Sequence, residues 1–247
     1  MENQTCQLSK QDIYIMVKRE NTDEITYGGD QNFFESSDPK SEDYLKNKMG
    51  CGAVALGDLF LYLAMANPRY QTIHTGVLQG RMLTEAEYKT YYDVVYHMLG
   101  GTSEKLGISG LRLVRVFNKV ARAKKWKLRA RWGALHGKML PRIQKMLEKD
   151  MPVILCVPPN FFHKNKKDQI GLYRKQNEEY IQASGTYGHY VVVTAVEESP
   201  LEESTEKRTM LSVSSWGKRY YIDYAELLRF NQRHFLGNLL GNIMDIK

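Results

Sequence analysis

The sequence predicts an α+β protein, and three observations predict it. Apolar residues recur at helical spacing from about residue 44 to about 150; short β-branched runs fill about 151–247; and the two textures follow one another rather than alternate. The stretch 1–43 reads as an N-terminal strand and loop.

"DIYIMVKRE" (12–20) gives the first strand, and the Asp-, Ser-, Gly- and Asn-rich residues to about 42 read as a surface loop. From Cys51, the spacing of Leu56, Leu59, Phe60 and Leu63 predicts a helix that "NPR" ends at 67–69. "TEAEYKTYYDVVYHML" opens with Thr84 three residues before Glu87, a capping-box signature, and sets Tyr88, Tyr91, Tyr92 and Val95 along one stripe. "SGLRLVRVFNKVA" (109–121) repeats the helical pattern, and a shorter helix covers roughly 139–149. "MPVILCV" then reads as a buried strand.

Beyond it, "HYVVVTAVE", "RTMLSVSSW" and "KRYYIDY" are strands, with the polar "ESPLEESTEK" as the loop between the first two. A last helix starts at Asp223, with Glu226 three positions on. The Lys-rich segment 158–187 shows no clean period and reads as a long loop leading to His189.

Hydrophobic residues make up 43% of the 247 and charged residues 26%, a balance that excludes a disordered chain. The net charge of +7 is too modest to choose a partner. Much of the excess lies in "RAKKWKLRARWGALHGK" (122–138), where Trp126, Leu128, Ala130 and Trp132 alternate with basic residues. That period of two reads as a strand with a solvated basic face, and no nucleic-acid motif accompanies it.

The three cysteines lack CxxC spacing, which fits a reducing compartment. The N-terminus shows no basic start followed by an apolar stretch, and 49–66 carries Asp58 and reads as a buried helix rather than a membrane span. The expectation is cytoplasmic residence, with no membrane partner. No histidine pair has metal-ligand spacing alongside a carboxylate, so neither metal nor cofactor is expected.

The chemistry-bearing residues fall in three places. Cys51 stands between Gly50 and Gly52 where a helix begins, a position that favours the thiolate because unpaired amides and the helix dipole attract negative charge. Cys156 lies within an apolar strand and Cys6 in a terminal segment, so Cys51 is the candidate nucleophile. A thiol needs a base, and among six histidines His189 is set after a glycine at the mouth of a buried strand. His74, His97, His136, His163 and His234 fall on loops or polar helix faces. Third comes "SSWG", in which a side chain before Trp216 could orient the imidazole and the indole could shield it. Trp216 as plain core and Gly217 as a turn is the alternative.

In order and spacing, "NKMGCGAVAL", "GHYVVVTAV" and "SSWGKRYYI" resemble a papain-like cysteine peptidase, closest to the bacterial branch of Gly-Cys-Gly peptidases that process bacteriocins. His189 lies about 140 residues after Cys51, within the roughly 130–150 typical of papain-type enzymes. The resemblance covers about 44–228. It implies a single papain-like domain over 1–247, with a helical lobe at about 44–150 led by the Cys51 helix and packed on an antiparallel, barrel-like lobe at about 151–247. It also implies a peptide or protein substrate, with Cys51 as a thiolate beside protonated His189 and amide hydrolysis through an acyl-enzyme.

Two positions depart from the family pattern. Ser214 stands where the family has asparagine to orient the imidazole. No glutamine lies in the six positions before Cys51, which leaves Asn47 as the nearest oxyanion donor. These departures keep two other readings open: a peptide-binding module that retains the fold, and an acyltransferase or transglutaminase-like enzyme using the same cysteine and histidine. Substrate specificity and oligomeric state are not encoded in any of these motifs.

Overall fold

The computed structural model describes residues 4–77, 82–102, 104, 107–133, 138–160, 165, 167–200 and 207–247. In chain order its elements are β1 (Gln4–Gln7), β2 (Met16–Lys18), β3 (Ile25–Tyr27), α1 (Glu42–Met49), α2 (Cys51–Ala66), β4 (Met82–Thr84), α3 (Glu85–Met98), α4 (Gly110–Ala123) and β5 (Ala130–Trp132). They continue with α5 (Met139–Leu147), β6 (Val153–Val157), β7 (Ile170–Gln176), β8 (Glu179–Thr186), β9 (His189–Pro200), β10 (Lys207–Ser215), β11 (Lys218–Asp223), α6 (Tyr224–Gln232), α7 (Phe235–Leu240) and β12 (Met244–Ile246). The protein is α+β.

The chain forms two compact units that interleave along the sequence. One comprises Asp12–Trp132, Ser215–Lys218 and Ile246–Lys247; the other comprises Met1–Gln11, Gly133–Ser214 and Arg219–Asp245. The division at 132/133 falls earlier than the change of texture near 150, because α5 lies against β1 and β9 and so belongs with the sheet.

In the helical unit, α2 is enclosed by α1, α3 and α4, and all but four of its side chains are buried. Asn67 adopts an extended conformation ahead of Pro68 and ends the helix. α3 carries the capping box the sequence announced: Thr84 Oγ1 accepts the Glu87 N–H at 3.2 Å, and Glu87 Oε2 accepts the Thr84 N–H at 2.8 Å.

Three expectations in this unit are corrected. The polar stretch to residue 42 is more than a surface loop: it holds β3 and a 3-10 turn at Gln31–Phe33, and it buries Phe33 and Phe34 against Tyr88 and Tyr92 at centroid distances of 5.7 and 4.5 Å. The first strand shrinks to β2, preceded by a 3-10 turn at Gln11–Ile13.

The third correction concerns the basic stripe at 122–138. α4 runs to Ala123 and closes through Lys125 at φ 54°, so that Trp126 turns inward onto Phe60 and Phe117. Only 130–132 is strand. The Asn118 side chain occupies both backbone groups of Ala130, at 2.8 and 2.9 Å, where a neighbouring strand would otherwise pair. Residues 134–137 lie outside the described residues.

The sheet unit orders its strands β1-β9-β10-β11-β7-β8, with β6 also paired to β9. β9 is central, antiparallel to β1 (Cys6 opposite Val196), β6 (Val157 opposite His189) and β10 (Ser214 opposite Val192). Every residue of β6 is buried, as its apolar run requires, and this includes Cys156.

The segment read as an irregular loop at 158–187 contains the hairpin β7–β8. Its turn uses Asn177 and Glu178 at φ 49° and 67°, the left-handed pair a two-residue loop requires. Glu226 explains how the hairpin is anchored. Its carboxylate accepts from the Gly171 N–H at 2.7 Å and the Tyr173 hydroxyl at 3.0 Å, so it does not close a capping box on α6.

Asp223 alone caps α6, accepting from the N–H groups of Ala225 and Glu226 at 2.9 and 3.1 Å. Asp223→Ala is expected to cost about 1 kcal/mol of unfolding free energy, measured by urea denaturation. Of the polar stretch 198–207 read as a loop, Glu198–Pro200 continue β9 and Lys207 begins β10, opposite Pro200, because the ladder between the two strands extends that far; 201–206 fall outside the described residues. No single helix among the described residues is long and apolar enough to cross a membrane.

Candidate functional site

Cys51 is the first residue of α2, at a bend of 78° between α1 and α2. Gly50 makes the bend and ends α1. A Cβ there would lie 2.1 Å from the Lys46 carbonyl oxygen and 2.3 Å from Tyr92 Oη, so no other residue fits without displacing backbone. Its own carbonyl accepts from the N–H groups of Ala53 and Val54 at 2.9 and 3.1 Å, starting the helix immediately behind the thiol. No side chain caps this end, and Cys51 is partly exposed. The result is a partly exposed cysteine at the positive end of a 16-residue helix.

The other two thiols differ. Cys6 donates to the Gln144 carbonyl at 3.5 Å, and burial, with the nearby charge of Glu148, pushes its pKa up. Cys156 is buried in β6, with its sulfur on the Val157 carbonyl at 3.6 Å.

Around Cys51 the helical unit gathers residues that the sequence did not connect. The Tyr92 hydroxyl of α3 donates to the Gly50 carbonyl at 3.5 Å. Burial pushes this phenol well up, and the charges of Tyr96 and Cys51 add to the effect. Asn47, one turn before Cys51, accepts at its backbone carbonyl from Gln31 Nε2 at 2.6 Å, and its own amide reaches the Gln31 carbonyl at 3.5 Å. Gln31 lies far outside the six positions that precede Cys51, yet its side-chain amide ends beside Asn47. The available signal was the Asp30 cap of the turn that carries it: Asp30 Oδ1 accepts the Asn32 N–H at 2.9 Å.

Trp216 belongs to the same unit. It and Gly217 form the two-residue turn between β10 and β11 at φ 47° and 67°. The turn is held by the Gly217 N–H on the Gly29 carbonyl at 3.1 Å and the Tyr27 N–H on the Gly217 carbonyl at 2.7 Å. Gly217 is therefore a turn residue, as the plainer reading of "WG" expects, whereas Trp216 is partly exposed rather than plain core.

His189 and Ser214 lie in the sheet unit. Gly188, at φ 57°, donates to the Pro158 carbonyl at 3.0 Å and delivers His189 to the first position of β9. Ser214 sits on the paired strand β10 opposite Val192, three residues along from His189, and both are buried. His97 and His74 are exposed and His234 partly so, while His136 and His163 fall outside the described residues.

Burial drives the His189 pKa down to about 3. The imidazole is therefore neutral at physiological pH, in contrast to the protonated ring that the family resemblance implies. The consequence for stability follows from linkage. The unfolded chain takes up this proton near pH 6.5 and the folded chain does not, so His189 favours folding above pH 6.5 and the benefit is lost as pH falls toward 3. Between pH 6.5 and 5 the loss amounts to roughly 2 kcal/mol. Urea unfolding at the two pH values should show a smaller difference in His189→Gln than in the parent chain.

Comparison with protein-family models, curated sequences and solved structures finds no match at significance. Functional assignment therefore rests on the chemistry of these residues.

Proposed function

We propose that this chain is a thiol hydrolase with a papain-like plan, cleaving an amide bond in a peptide or protein with Cys51 as nucleophile and His189 as base. The observation that carries the reading is the mounting of Cys51: a partly exposed cysteine at the uncapped start of a buried helix, behind a glycine that sterics make obligatory. A helical unit bearing the cysteine and an antiparallel sheet bearing the histidine at the head of its central strand support the papain-like plan.

In this scheme the resting imidazole is neutral and open to a proton. As sulfur attacks the carbonyl carbon, its proton passes to His189 and the carbonyl π electrons move to oxygen. Collapse expels the amine, which takes the proton from the imidazolium and leaves a thioester on Cys51. Water, deprotonated by the same imidazole, then releases the acid and restores the thiol. Side-chain amides from Asn47 and Gln31 are the donors proposed for the oxyanion. Ser214 is proposed to act on the imidazole in the place that asparagine takes in the family.

Peptide mapping after limited alkylation by iodoacetamide at pH 7.5 tests the reading itself: Cys51 should be modified ahead of Cys6 and Cys156, and equal modification of all three counts against it.

The depressed basicity of His189 favours one second reading, a peptide-binding module that has lost turnover. A thioester detected on Cys51 with any activated ester would remove it.

A further inference from the structure

The geometry points to Asp58 as a positioning residue: from inside α2, the helix that Cys51 begins, it fixes segment 27–31, and through that segment the Trp216–Gly217 turn and the Gln31 amide beside Asn47. The catalytic consequence rests on the thiol-hydrolase reading, while the positioning does not.

Asp58 lies two helical turns after Cys51 and is fully buried in a helix otherwise lined by apolar residues. A carboxyl group there is costly unless it is hydrogen-bonded, so a position that served packing alone would carry an apolar side chain. Both of its oxygens are engaged: Oδ2 accepts the Gly29 N–H at 2.9 Å and Oδ1 accepts the Tyr88 hydroxyl at 2.8 Å. The fit is close, since a Cβ on Gly29 would fall 1.7 Å from Tyr88 Oη.

From Gly29 the connections run outward in both directions. The Gly29 carbonyl accepts the Gly217 N–H, and the Gly217 carbonyl accepts the Tyr27 N–H. Two residues further on, Gln31 donates to the Asn47 carbonyl at 2.6 Å, one turn before Cys51. Asp30 between them pairs with Arg19 at 2.7 Å and holds the segment from its other side. A single buried carboxyl group thus ties the cysteine helix to each of the helical unit's other candidate groups.

The groups acting on Asp58 make this tie sensitive to pH. It faces the phenols of Tyr88 and Tyr91 from α3, the phenol of Tyr14 from the stretch before β2, which stacks on Tyr62, and the Gly29 amide. None of the groups that set its pKa is a cation. Burial raises the pKa to about 7, against the lowering effect of the Gly29 and Tyr88 hydrogen bonds. The ionised carboxylate is the stronger acceptor, so Gly29 and the turn beyond it are held more tightly above neutrality than below.

The test uses the full chain labelled with 5-fluorotryptophan and followed by fluorine NMR from pH 5.5 to 8.5. The Trp216 resonance is assigned by its loss in Trp216→Phe, and the Trp126 and Trp132 resonances report that the fold is intact. The expected result is a Trp216 shift with a midpoint near pH 7 that disappears in Asp58→Asn, which keeps an acceptor for Gly29 but cannot ionise. Tyr88→Phe removes one bond to the carboxylate and should move the midpoint upward, which keeps the test decisive if the asparagine variant does not fold. A Trp216 resonance that does not titrate near neutrality, titrates unchanged in Asp58→Asn, or keeps its midpoint in Tyr88→Phe overturns the inference. Failure of Cys51 to react preferentially, with the Trp216 titration intact, would sink the hydrolase reading and leave the positioning role standing.

Discussion

Replacing Cys51 with alanine is expected to lower amide or ester turnover by roughly 10³–10⁶-fold, while Cys6→Ala and Cys156→Ala leave it within a small factor of the parent. The contrast follows from the three environments. Only Cys51 stands at a helix start with partial access to solvent. The Cys6 thiol is pushed away from ionisation by burial and by Glu148, and Cys156 is enclosed in a strand whose five residues are all buried. Because alanine removes the sulfur without adding bulk, the fold should persist, and thermal unfolding of the three variants serves as the control. Turnover that survives Cys51→Ala would place the chemistry elsewhere.

The second large effect is on folding. Gly50→Ala inserts a methyl group within 2.1 Å of the Lys46 carbonyl oxygen, which is backbone and cannot rotate away. Overpacking of this kind typically costs 1–3 kcal/mol and sometimes more, and about 3 kcal/mol is expected here. In a chain of this length that corresponds to a fall in Tm of roughly 6–12 °C by calorimetry. Gly76→Ala is the matching control, since a Cβ there meets nothing within 4 Å. The same substitution should also slow Cys51 alkylation, because relief of the clash has to move either the end of α1 or the start of α2. A Gly50→Ala protein that is as stable as Gly76→Ala would contradict the bend as described.

Signals that are local in sequence were legible; connections between distant residues were not. The Thr84–Glu87 box, the apolar run of β6 and the start of α2 at Cys51 each depend on neighbours a few residues away, so propensity and period suffice to read them. The hairpin β7–β8 escaped because its strands are exposed from Arg174 to Gln176 and at most positions of β8, so no apolar alternation marks them, and its turn lacks the glycine that usually signals one. The stripe at 126–132 misled for the opposite reason. Its alternation is real, but Trp126 is buried by a helix-terminal turn rather than by a pleated strand.

For the candidate site, the identities of Cys51, His189 and Trp216 could be picked out because glycines flank or adjoin each of them. The supporting set could not. The Gln31–Asn47 and Asp58–Gly29 contacts join residues 16 and 29 positions apart through loop conformation, which no period encodes. Asp58 was visible only as an argument against a membrane span. A buried acid in an apolar helix is also a sign of a hydrogen-bonded framework, and here that framework joins α2 to Gly29 and Tyr88.

The central claim, that Cys51 attacks and His189 takes its proton, is tested most directly by trapping with a peptidyl vinyl sulfone at pH 7.5 and mass mapping of the adduct. In the parent chain the account predicts one adduct, on Cys51, formed at least 10²-fold faster than in His189→Gln. Adducts spread over all three cysteines, or an unchanged rate in His189→Gln, would contradict it.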